Sequence, residues 1–136
     1  MNNSKKRYTE IQSLLEKCGE SGCHFLSLLS IVEEVNSEPV DLIEAIKMSL
    51  AKKYIDENFF VKAGDSLLEY FTGKKWTRKI VKTLPSKIKD NEYTEAIYFN
   101  PRTNLYHYRR RGFDTLKSSV TVREGYVLKY YIWRHN

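Results

Sequence analysis

Cysteine is scarce in this chain of 136 residues: Cys18 and Cys23 are the two, five positions apart. Neither a further cysteine nor a histidine pair completes a zinc set, so a structural zinc module is excluded and no metal or cofactor is expected. A reduced chain is the simpler reading, with a strained Cys18–Cys23 disulfide as the alternative. Long apolar runs are missing too. No segment approaches the roughly 18 apolar residues that a membrane span needs. Met1-Asn2-Asn3-Ser4-Lys5-Lys6-Arg7 leads into a polar helical pattern instead of the apolar stretch of a signal peptide. The expected location is therefore cytoplasmic, with no membrane, unless a system such as lysis releases the protein. Glycine (six) and proline (three) are few. No repeat, low-complexity tract or linker is present, and residues 1–136 read as a single domain.

Positive charge and tyrosine are plentiful. Lysine and arginine (23) outnumber aspartate and glutamate (17) for a net charge of +6, and there are ten tyrosines. The cations concentrate in Lys74-Lys75-Trp76-Thr77-Arg78-Lys79 and in Tyr106-His107-Tyr108-Arg109-Arg110-Arg111. Interleaved rings of this kind stack on bases while cations hold phosphates. No recognition-helix, ribonucleoprotein-motif or zinc-finger pattern accompanies them. Nucleic acid is thus the minor partner reading, set against simple solvation of outward-facing charges.

Apolar spacing organises the chain as helices first and strands later. Ile11, Leu14 and Leu15 mark an amphipathic helix from about Tyr8 to Lys17, which ends in the turn Cys18-Gly19-Glu20-Ser21-Gly22. A second helix starts at Cys23 and is broken by Asn36-Ser37-Glu38-Pro39, and a third starts near Asp41. Gly64 to Gly73 reads as one more short helix, capped by Asp65 and stopped by Gly73. The period then switches to two. Trp76–Val81 is a strand, and Glu95–Phe99 and Leu105–Tyr108 form a hairpin around Asn100-Pro101-Arg102-Thr103-Asn104. Ser119–Val122 and Tyr126–Trp133 add strands around Gly125. The fold class is α+β, with a central buried helix packed on a C-terminal antiparallel sheet.

The chemistry concentrates at Gly22-Cys23-His24-Phe25-Leu26-Ser27-Leu28-Leu29-Ser30-Ile31-Val32. A thiol in the first turn of a helix meets unpaired N–H groups and the positive end of the macrodipole, which favour the nucleophilic thiolate. The helix behind it is apolar nearly all round and must be buried. The competing reading is that Cys23 is a small buried hydrophobe.

A Gly-Cys at the head of a buried helix, followed by an antiparallel sheet, resembles the papain-like cysteine peptidases in their compact NlpC/P60-type form. The resemblance is more specific to a small papain-like family carried by phages, prophages and spirochaete plasmids. It rests on Gly22–Leu28, on Ala51–Val61 running on to Leu68–Lys75, and on Asp114–Gly125. It implies that a cysteine thiolate attacks an acyl carbon, a histidine on the sheet moves the proton, and an Asp or Asn orients the imidazole. Cys23 matches the nucleophile and Asp114 the orienting residue. Relatives carry the histidine in a Thr-His-Phe-Val-like run; here the run is Thr94-Glu95-Ala96-Ile97-Tyr98, with Glu95 at the imidazole position. A carboxylate there raises the thiol pKa instead of pairing with a thiolate.

His107 is the residue to replace the lost base, unless it is an ordinary strand histidine. His24 points about 100° away from Cys23 on the helix, and His135 is nearly terminal. At the offset of the oxyanion-hole glutamine stands Lys17, with Gln12 further upstream. Two further readings compete with the nucleic-acid one: a degenerate papain-like domain kept for binding a peptide or cell-wall-like ligand, and an active thiol peptidase or amidase. The first is favoured.

Overall fold

The computed structural model describes Ser13, residues 22–110 and residues 124–136. The Tyr8–Lys17 helix, Gln12, Lys17, Cys18, Arg111, Asp114 and the Ser119–Val122 strand lie outside the described residues. Those that are described form an α+β fold of three helices and a four-stranded antiparallel sheet.

Helix α1 (Cys23–Asn36) begins after Gly22, and its apolar sequence is buried as the pattern requires: Phe25, Leu28 and Ile31 are fully enclosed. It stops where Ser37 turns left-handed (φ 54°) and returns its N–H to the Glu33 carbonyl. Asp41 starts α2 (Leu42–Ala51) by accepting the Glu44 N–H at 3.2 Å, the capping role its side chain is suited to. Helix α3 (Gly64–Thr72) corrects the expected Asp65 cap. The cap position is Ala63, and Asp65 lies in the first turn with its carboxylate on the Ser66 N–H. The helix starts early because Gly64 brings its backbone against Trp133, where a Cβ would meet the indole at 2.8 Å. Gly73, at φ 71°, ends it as expected.

The strands are β1 (Trp76–Val81), β2 (Glu92–Asn100), β3 (Leu105–Arg109) and β4 (Tyr126–His135), in the order β1-β4-β2-β3. The hairpin pairs β2 with β3 as its turn dictates, and β4 fills the slot between β1 and β2. The β2–β4 register slips once after Ile97, because Leu128 is an extra residue on the β4 side. Directly opposed residues of an antiparallel ladder share a face. One face carries Tyr93, Glu95 and Ile97 of β2, Tyr108 of β3, and Tyr131 and Trp133 of β4. Helix α1 covers it, and its apolar residues join Ile97, Tyr131, Trp133 and Leu67 of α3 in one core. The opposite face carries Tyr98, His107, Ile132 and Arg134, with Thr77 and Lys79 of β1.

Candidate thiol site

Cys23 opens α1 at the edge of the covered sheet face and is a free thiol, partly buried. Burial is the largest influence on it and pushes its pKa up from the ordinary value. The backbone N–H groups of Tyr108, His24 and Cys23 itself oppose this, and the negative charge of Glu95 adds to it. The net direction is upward. The thiol therefore rests protonated at neutral pH, and the dipole of α1 does not reverse the cost of burying a charge.

Glu95 is wholly enclosed. Its Oε1 accepts the Trp133 indole N–H at 2.7 Å and lies 3.1 Å from His24 Nε2. An ionised carboxylate only accepts, so this contact puts a proton on Nε2. Oε2 is buried and has no hydrogen-bond partner among the described residues. The His24 ring is stacked on Tyr108, centroids 3.9 Å apart and nearly parallel. Tyr131 closes the other side at 5.9 Å. Burial, and then the neighbouring Tyr131, push the Tyr108 hydroxyl pKa well up, so that ring enters the site as a neutral wall.

Cys23, His24 and Glu95 are thus brought together, and the sulfur has no side-chain base bonded to it among the described residues. Activation of a thiol requires such a base or a cationic neighbour. The imidazole next along the chain is turned to Glu95 instead. His107, the expected replacement base, sits opposite Tyr98 in the β2–β3 ladder and so belongs to the face away from Glu95. It is buried there. Its reassignment follows from strand alternation: Tyr108, not His107, lies opposite Ile97 and shares its face. Asp114, the expected orienting residue, lies outside the described residues.

Three members of the site escaped the sequence reading: His24, Tyr108 and Trp133. The period-two spacing of Tyr131 and Trp133 puts both on one face, but only the β2–β4 register places that face under Glu95. His24 does leave the helix in a different direction from Cys23, and that direction is where the sheet stands. Among the described residues no three His, Cys, Asp or Glu side chains gather to hold a metal ion, and no helix is long and apolar enough to cross a membrane. No family model, no curated protein and no solved structure matches the chain.

Proposed function

We propose that this is a papain-like domain whose thiol chemistry is silent and whose cleft is kept for binding a peptide or cell-wall-like ligand. The observation that carries the reading is Glu95. It stands beside Cys23 where the resemblance calls for the base, and it holds the neighbouring imidazole on its own oxygen. A carboxylate cannot supply the imidazolium that stabilises a thiolate, and its charge acts against one. The aromatic walls of Tyr108 and Tyr131 suit a ligand that needs contact area more than proton transfer.

The test is thiol reactivity together with ligand binding, in a Cys18→Ser background so that one thiol is read. Alkylation by iodoacetamide should be slow at neutral pH and rise with pH through and beyond the ordinary thiol range near 8.5. A muramyl tetrapeptide should bind by calorimetry equally well to the wild type and to Cys23→Ser, and should be recovered intact. The alternative is an active thiol peptidase or amidase, and one observation favours it: an imidazole with a carboxylate partner lies one residue from Cys23. Fast alkylation that is flat from about pH 6 to 8 and lost in His24→Ala, or cleavage of the muramyl peptide that needs Cys23, would establish the enzyme and overturn the binding reading.

A further inference from the structure

The fold regroups the cations that stand as runs in the sequence. Arg110 is withdrawn into the interior, where its guanidinium donates to Ser30 Oγ and Glu34 Oε2. Arg78 lies over the Tyr131 ring, 4.5 Å from its centroid, on the side of the sheet that α1 covers. Lysines from separate segments meet elsewhere. The start of β1, the end of the β1–β2 connection and the end of β4 converge on a cavity of about 330 Å³, lined by Lys75, Thr77, Lys89, Asn91, Arg134 and His135.

No acidic side chain lines this cavity. Lys75, Lys89 and Arg134 are exposed, and their side chains carry no hydrogen bond or ion pair among the described residues. Glu92, opposite Arg134 in the ladder, has its carboxylate on the backbone N–H of Lys89. Three uncompensated cations around one concavity repel each other, and an anion held between them relieves that repulsion. The hydroxyl of Thr77 and the amide of Asn91 add the neutral polar groups that accompany cations at phosphate oxygens.

The charge continues past the cavity. Lys79 follows Thr77 on the same face of β1, about 6.6 Å along it, and the exposed Lys82 lies beyond the strand end. A small free anion uses only the cavity; a chain of phosphates uses the whole line. A lipid surface fits less well, because membrane-bound cations are flanked by apolar side chains that insert, and Thr77 and Asn91 are polar. We propose that this face binds the phosphodiester backbone of a nucleic-acid strand, with one phosphate in the Lys75–Lys89–Arg134 cavity and the strand running along β1 toward Lys79 and Lys82.

The probe is a fluorescein-labelled twenty-nucleotide oligothymidylate, read by anisotropy. Three phosphate contacts on a single strand predict that affinity falls about 20-fold between 50 and 200 mM salt. Combining Lys75→Gln, Lys89→Gln and Arg134→Gln should weaken binding at 50 mM by about 10-fold or more and reduce the salt slope by about 2. A control combining Lys47→Gln, Lys52→Gln and Lys62→Gln removes the same charge from the helical side and should stay within about 2-fold of the wild type. Urea midpoints confirm that both sets fold. The proposal fails if the oligonucleotide does not bind, if both sets weaken binding equally, or if inorganic phosphate displaces it at equal concentration. It also fails if phosphatidylserine vesicles bind through the same three residues while the oligonucleotide does not.

Discussion

Glu95 is the residue on which the site turns, since one of its oxygens is shared by two donors while the whole side chain is out of water. Removing it strands the Trp133 and His24 N–H groups in the interior. Glu95→Ala should therefore cost about 3 kcal/mol in urea unfolding, and Glu95→Gln, which keeps an acceptor, about 1 kcal/mol. Equal losses would mean that the packed volume matters and the acceptor does not. Cys23 makes the complementary statement about pH. Its pKa is raised in the folded chain, so the protonated thiol favours folding. That contribution is complete below the unfolded value, near 8.5, and drains away as the pH rises from there toward the folded value. The urea midpoint of the wild type should fall relative to that of Cys23→Ser between about pH 8.5 and 10. A difference between the two that does not change with pH would show that burial leaves the thiol unperturbed. The role of His24 was not legible in the sequence, because its partner stands 71 positions away and nothing local specifies it.

Two glycines bound α3 for opposite reasons, and the distinction is testable. Gly64 is held by its neighbour: a Cβ would press on Trp133 at 2.8 Å and touch Leu28 at 3.4 Å. Gly73 is held by its own backbone, at φ 71° in open space. Gly64→Ala should destabilise by about 1–3 kcal/mol through overpacking, and Gly73→Ala by about 1 kcal/mol through the left-handed conformation. Trimming Trp133 to Phe should then rescue the first and leave the second unchanged, as chemical denaturation of the double variants will report. Local signals made α1, α2 and the β2–β3 hairpin legible, since an apolar stripe, a capping Asp41 and an Asn-Pro turn act within a few residues. They failed at the start of α3. There the boundary is set by contact with a strand that comes much later in the chain, which no capping rule contains. The insertion of β4 between β1 and β2 was hidden for the same reason: pairing order is a nonlocal property, and period-two sequence says only that a strand exists.

Across the whole molecule, the sheet separates two chemistries. The face under α1 holds the thiol, the enclosed carboxylate and the rings, and the reverse face holds the basic cavity. Net charge and basic runs were visible at once, but which cations act together was not. Arg110 and Lys75 both belong to basic runs, yet one is buried against Glu34 and the other faces solvent. Alternation sorts neighbours onto opposite faces, and chain folding then gathers strangers. The two tryptophans draw an experimental consequence from this division. Each indole N–H has a single, chemically different acceptor: the Thr72 hydroxyl for Trp76 at 2.8 Å and the Glu95 carboxylate for Trp133 at 2.7 Å. In a proton–nitrogen correlation spectrum they form a natural probe and its internal reference. A molecule entering beside Cys23 perturbs the carboxylate and displaces the Trp133 resonance, whereas one settling on the reverse face leaves both in place. Occupancy of the two faces can therefore be told apart from two signals, with no label beyond nitrogen-15.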